Sequence, residues 1–242
     1  MSTDQQDELE HLDPYDPFPE VIYTFSSLQY LDDLKLGRLW FAPTSTYNDI
    51  HENTIFARDT VTYDFSTAWE AEALINEWLE SQVVRCFTTD PTNTLMWSHY
   101  ADSHKGVCVG YKLNLLSQFV HEEQPLRNYR IRYSSVPPLS LISGPNSQDT
   151  ILHLARDILM TKSSDWAYEK EHRFWAAIPE MSKAGGGIID VGVEAVVDVI
   201  FGAKVDTEAI DQLRSKLPDG VQARAAEHNS RALSYNLQIR NL

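Results

Sequence analysis

Short runs of β-branched and aromatic residues recur along this chain. Turn residues separate them, and helix-patterned segments interrupt them without regular alternation. "VIYTF" (21–25), "LWFAP" (39–43), "VVRCFTT" (83–89), "GVCVGYKL" (106–113), "YRIRYSS" (129–135), "EHRFWAAI" (171–178), "GGGIIDV" and "VVDVIFGAKV" read as strands, and "VQARAAE" and "YNLQIR" close the chain in the same way. Apolar residues at helical spacing mark "SSLQYLDDLKLGRL", residues 66–82, 94–104, a short piece at 114–121, 149–164 and "TEAIDQLRSKL". Strands outnumber helices, and the two do not take turns. A doubly wound parallel sheet needs that alternation, so the pattern predicts an α+β fold. No repeat, low-complexity run or linker divides the chain beyond residue 20. We therefore expect an acidic, flexible N-terminal segment over 1–19 and a single α+β domain over 20–242.

Charge narrows the partners. The chain carries 35 Asp and Glu against 20 Lys and Arg, a formal net charge of −15, and its first twenty residues hold seven acids and no Lys or Arg. Such a surface repels phosphate backbones, which argues against DNA binding by bulk charge. Arg127, Arg130 and Arg132 cluster in "LRNYRIRY", either as a solvated strand edge or as a local basic patch. No apolar run approaches the length of a membrane span, and no signal-peptide pattern opens the sequence, so a cytoplasmic protein away from membranes is expected. Cys86 and Cys108 both fall in strand-like runs and read as reduced, buried side chains.

Three stretches concentrate polar chemistry. "YNDIHEN" (47–53) offers Asn48, Asp49, His51 and Glu52, which serve equally as turn formers or as ligands. "LMWSHYADSHKG" (95–106) crowds Trp97, His99, Tyr100, His104 and Lys105 together. If it is helical throughout, Trp97 and Tyr100 share a face, as do Tyr100 and His104. His99 and His104 are five apart, about 140° round a helix, which suits no shared metal ion. In "SSDWAYEKEHRFW" (163–175), Glu169, Glu171 and Arg173 are two apart and project from one face of a strand, with Trp175 beyond them. That pattern serves as a surface ion-pair ladder, or as a base with its orienting partner near an oxocarbenium-like centre. Phosphate-loop, Rossmann and nucleophile-elbow glycine patterns are missing.

Taken together, "YNDIHE", "LMWSHYADSHKGVCVGY", "WAYEKEHRF" and "VIFGAKV" resemble a bacterial and phage family of unknown function. Its members carry N-D-x-x-E, M-W-S-H-Y-A-D-x-H-K-G and W-x-x-E-x-E-x-R motifs in that order, and the likeness spans about residues 21–240. Ile50 and His51 depart from the family's Pro and aromatic in the first motif. More distantly, the opening strand, leucine-rich helix and "GRLWFAPTS" are similar to ADP-ribosyltransferases. That resemblance implies split, mainly antiparallel sheets with peripheral helices and a cleft that takes NAD as substrate, with no metal. It implies a protein or nucleic-acid acceptor, a companion protein such as an antitoxin, and a setting in toxin systems or phage defence. Glu171 or Glu169 would be the catalytic carboxylate, with Arg173 beside it. Tyr23, Trp97 or Tyr100 would stack on nicotinamide, and Asn48, Asp49, Glu52, His99, His104 and Lys105 would line the cleft. Tyr23-Thr24 stands where those enzymes place a His or Arg. Two other readings stay open: a binding module that uses the same cleft without turnover, and a metal-dependent nuclease built on Asp49, Glu52, His99 and His104.

Overall fold

The computed structural model describes residues 19–49, 51–52, 56–57, 65–122, 124–136, 139–140, 148–231 and 234–242. Apart from Pro19, the acidic segment expected over 1–19 lies outside them.

Ten strands form the main sheet: β1 (Val21–Ser26), β2 (Arg38–Pro43), β3 (Gln82–Thr88), β4 (Val107–Lys112), β5 (Arg127–Arg130), β6 (Glu171–Ala177), β7 (Gly187–Asp190), β8 (Val196–Phe201), β9 (Gln222–Glu227) and β10 (Gln238–Asn241). The spatial order is β7-β2-β3-β1-β4-β8-β9-β10, with β6 on the other edge of β3 and β5 outside β6. All of these pairings are antiparallel except β8 with β9. The α+β expectation, with a mainly antiparallel sheet, therefore holds.

One edge of β3 serves two partners. β2 pairs with it only at Ala42↔Val84 and Pro43↔Val83, and β1 only at Tyr23↔Thr88. Between these points β1 and β2 part, and the β3 backbone from Arg85 to Phe87 faces a V-shaped split. Each side of the split keeps its own pairing, β1 with β4 from Val21 to Ser26 and β2 with β7 from Arg38 to Phe41.

Period-two alternation gives the sheet two apolar faces. One face carries Ile22, Val83, Phe87, Val109, Tyr111, Phe174 and Val199, covered by α1 (Leu31–Leu34), α4 (Leu113–Ser117) and α6 (Thr207–Arg214). The opposite face holds two separate clusters. At one end α2 (Phe65–Glu80) and α5 (Gln148–Leu159) pack on Val84 and Trp175. At the other end α3 (Thr94–Tyr100) lays Met96 and Trp97 on Phe25, Cys108 and Ile200. Among the described residues no helix lies over the strip of sheet between the clusters, and the polar residues of β3 and β6 gather there.

Several boundaries differ from the sequence reading. The helix expected over 94–104 stops at Tyr100, because Asp102, Ser103 and His104 all take left-handed backbone angles (φ 46°, 55° and 74°). The helix expected over 149–164 ends at Leu159, and Thr161–Ser163 instead pairs, parallel, with Arg132–Ser134. The strand expected over 129–135 is broken at the buried Ile131, between β5 and Arg132–Ser134. Arg127 and Arg132 are exposed near the β5 edge, and Arg132 pairs with Asp157 at 2.8 Å, as a solvated edge would have it. Cys108 is buried as expected, but Cys86 is not: it sits mid-strand on the uncovered strip, open to the cleft. Among the described residues, no helix is long and apolar enough to cross a membrane.

Candidate active site

The uncovered strip floors a cleft of about 370 Å³, within the range of small-molecule sites. Strand register builds the floor. Glu171 opposes Thr88 and Arg173 opposes Cys86, so all four point to the same side. Tyr23, Phe25, Trp40 and Tyr100 supply ring surface around it.

A buried ionic network forms one wall. Glu171 accepts from Arg173 Nε at 2.7 Å and from Lys162 Nζ at 3.2 Å. Glu169 accepts from the same ammonium at 2.6 Å and from the Tyr100 hydroxyl at 2.6 Å. Glu52 pairs with Arg173 Nη2 and stands 3.4 Å from Lys162. Arg173 also donates to Leu159 O at 2.6 Å and rests on the Tyr47 ring, and Tyr133 Oη accepts from the Glu171 amide at 2.8 Å. The Lys162 ammonium lies 5.0 Å from the Trp166 ring centroid. Each of the five charged side chains is at most 5 % exposed, so desolvation cost is severe unless every charge is matched.

The network sorts its carboxylates. Burial alone would raise the Glu171 pKa. The Arg173 guanidinium, then Lys162, outweigh it and hold the group down at about 2. For Glu52 burial wins, and Arg173 and Lys162 offset it only in part, so its pKa lies above the usual carboxylate value. Burial also works against the Lys162 ammonium, but Glu171, Glu52 and Glu169 keep its pKa above the ordinary lysine value. Burial, then the hydrogen bond to Glu169, pushes the Tyr100 hydroxyl up, so it remains a donor. Two neighbouring carboxylates held apart in pKa are the arrangement that acid–base chemistry uses.

Arg85 sits in the split between β1 and β2. Its Nε and Nη2 donate to Thr24 Oγ1 at 3.1 and 2.7 Å, and Nη1 reaches Trp40 O at 3.4 Å. No carboxylate among the described residues pairs with it.

The sequence candidates divide. Tyr23, Asn48, Glu52, Tyr100, Glu169 and Glu171 line the cleft, and Asn48 Nδ2 stands 3.5 Å from the Tyr100 hydroxyl. Arg173 lies behind them and holds Glu171 and Glu52 in place. The remaining expectations need correction. Trp97 is fully buried core: its indole donates to Pro91 O at 2.7 Å, and its ring meets Phe25 edge-on at 5.0 Å. His99 is exposed at the end of α3, outside the cleft lining. His104 and Lys105 leave the cleft because the left-handed turn redirects the chain. His104 N donates to Trp97 O at 3.1 Å and its carbonyl accepts from Lys204 N at 3.0 Å, tying the turn to the loop after β8. Burial, then Lys204, lowers the His104 pKa. Asp49 caps its own turn, accepting from His51 N at 2.9 Å, and also lies outside the lining.

That division separates the four residues of the metal-site reading. Between the carboxylates, the positions a metal ion would need are held by Lys162 and Arg173. Among the described residues, no group of three or more His, Cys, Asp or Glu side chains is arranged to hold a metal.

The sequence reading missed Lys162, Arg85 and Tyr47. Lys162 looked like the tail of a helix, and Arg85 like one residue of an apolar strand. For Arg85 the signal was a charge inside the otherwise apolar run 83–87, which points to a buried partner; Lys162 and Tyr47 stand among polar residues and carried no such mark.

Residues 96–174 match the model of a family described as a protein of unknown function (DUF2971). The matched stretch holds Tyr100, Lys162, Glu169, Glu171 and Arg173, whereas Tyr23, Asn48, Glu52 and Arg85 lie before it. No curated protein and no solved structure matches the chain.

Proposed function

We propose that the cleft binds NAD, breaks its nicotinamide–ribose bond and transfers the ADP-ribosyl group to a protein or nucleic-acid acceptor. The observation that carries this reading is charge. Three carboxylates face two cations in a buried network on the wall of a ring-lined cleft, which leaves one negative charge in excess when all are ionised. A fixed negative excess, shielded from water, stabilises positive charge that develops in a transition state.

Heterolysis sends the bonding electron pair to the nicotinamide nitrogen, which leaves neutral, and puts positive charge on the ribosyl carbon. Glu171, kept ionised by Arg173, faces that charge. Glu169 and the Tyr100 hydroxyl bracket a ribose hydroxyl. Tyr23 or Tyr100 offers a ring to the nicotinamide. The acceptor's oxygen or nitrogen then bonds to the ribosyl carbon and yields its proton to a cleft carboxylate. Glu52 suits that role because its pKa is held up. Arg173 is a positioning residue throughout. The resemblance that suggests this chemistry also suggests its setting, an effector of a toxin system or of phage defence.

Transfer of label from adenylate-labelled NAD to offered protein or RNA tests the proposal. Glu169→Gln should lower transfer on the order of 10²–10³-fold with little change in KM. No transfer to any acceptor, with NAD binding intact, would replace it with a second reading, a nucleotide-binding module. The specific support for that reading is that Lys162, Arg173 and Tyr100 already occupy the oxygens of Glu169 and Glu171.

A further inference from the structure

A second cavity, about 420 Å³, lies at the outer mouth of the split between β1 and β2. Tyr30, Arg38, Trp40 and Ile188 surround it, and Asp33 stands at its side. Two of its residues, Arg85 and Trp40, also line the active-site cleft. The guanidinium therefore stands where the two cavities meet. Thr24 and the Trp40 carbonyl take three of its five N–H donors, which leaves two for a ligand. The acids nearest the outer cavity pair with Arg38 and not with Arg85: Arg38 lies 3.8 Å from one oxygen of Asp33 and 3.5 Å from Asp190. Around the mouth, Tyr30, Trp40 and Ile188 are 54 %, 48 % and 47 % exposed, a large apolar exposure for neighbouring positions on one rim.

We infer that one ligand runs through the split: an anionic linker rests on Arg85, and a purine nucleoside fills the outer cavity against Tyr30 and Trp40. The occupant follows from the chemistry. A guanidinium with no carboxylate partner among the described residues, set between two ring-lined cavities, suits a phosphate bridge with a ring system at each end, which is a dinucleotide. The half-exposed rings of Tyr30 and Trp40 at the mouth offer surface for stacking a base. Asp33 carries acceptor oxygens for ribose hydroxyls. This inference rests on the NAD reading of the inner cleft and adds the part that distinguishes a dinucleotide from a mononucleotide.

Calorimetric titration of the full chain with ADP-ribose, AMP and nicotinamide mononucleotide tests it. Tyr30 lines only the outer cavity and is exposed, so Tyr30→Ala leaves the fold intact. It should weaken ADP-ribose and AMP on the order of tenfold and leave nicotinamide mononucleotide unchanged. Arg85→Gln should weaken all three. Equal affinity of wild type for ADP-ribose and nicotinamide mononucleotide, or no effect of Tyr30→Ala on ADP-ribose, would overturn the inference, as would failure of all three to bind. The two proposals fail separately. Turnover with a KM for NAD indifferent to Tyr30→Ala would sink the outer site and keep the transferase. Tyr30-dependent binding without turnover would do the reverse.

Discussion

Lys162 is the residue on which the site's electrostatics turn. Among the described residues it alone touches all three carboxylates, and its removal takes the described cation from Glu169 and leaves Glu171 and Glu52 sharing Arg173. Leaving buried charge uncompensated is costly, so Lys162→Met should lose roughly 3–5 kcal/mol at pH 7 in urea unfolding. The pH dependence of that loss has a definite sign. Glu171 has a depressed folded pKa, so its contribution is fully present above the unfolded Glu value near ~4.3 and disappears as pH falls toward about 2. Glu52, with a raised pKa, contributes in the opposite sense and loses its share as pH rises through its folded value. In Lys162→Met the pKa values of Glu171 and Glu52 rise, so protonation relieves the mutant first. The gap to wild type should narrow between pH 5 and pH 3, and a constant gap would contradict the role given to Lys162.

At the scale of elements, the turn after α3 explains why part of a motif that read as cleft lining leaves the cleft. Three consecutive non-glycine residues hold left-handed backbone, a conformation that costs roughly 1–2 kcal/mol each. Gly106 N returns to Ala101 O at 2.8 Å, and Gly202 N binds Gly106 O at 2.9 Å. A Cβ on Gly202 would lie 2.2 Å from His104 O, so the turn and the loop after β8 fit each other closely. Ser103→Gly should therefore stabilise the protein by about 1 kcal/mol, read as a higher urea midpoint with the slope unchanged. A lower midpoint would mean that the Ser103 side chain matters more than its backbone. The turn also marks what the sequence could tell. Alternation placed Glu171, Arg173 and Trp175 on one face of β6, and the spacing of "STAWEAEALINEWLESQ" located α2. Helical spacing could not reveal a stop at Tyr100, because "ADSHKG" carries no glycine until Gly106. The cost there is repaid by contacts with a loop about a hundred residues later in the chain. Lys162 escaped for the same reason, since its strand is defined by pairing with Arg132–Ser134.

For the whole molecule, the cleft exists because the sheet is divided and its helices stand apart. Two helical clusters cover the ends of one face, and neither reaches the middle. There β3 keeps β6 on one side while β1 and β2 diverge on the other. Hydrophobic burial thus fixes the sheet and its helices, and the ionic network fills part of the floor and one wall of the cleft. Alternation in the sequence was enough for the α+β class and for the facing of β6. Alternation could not reveal where β1 and β2 part, because that depends on how long each stays paired with β3. The central claim is that this floor works as a charge-stabilising surface and is more than structural. Nicotinamide release from NAD, compared between wild type and Glu171→Gln, tests it most directly. Thermal unfolding of both proteins separates loss of chemistry from loss of fold. The account predicts release by wild type and a drop on the order of 10²–10³-fold in kcat for a folded Glu171→Gln. Equal release by the two proteins, or none by wild type that binds NAD, would contradict it.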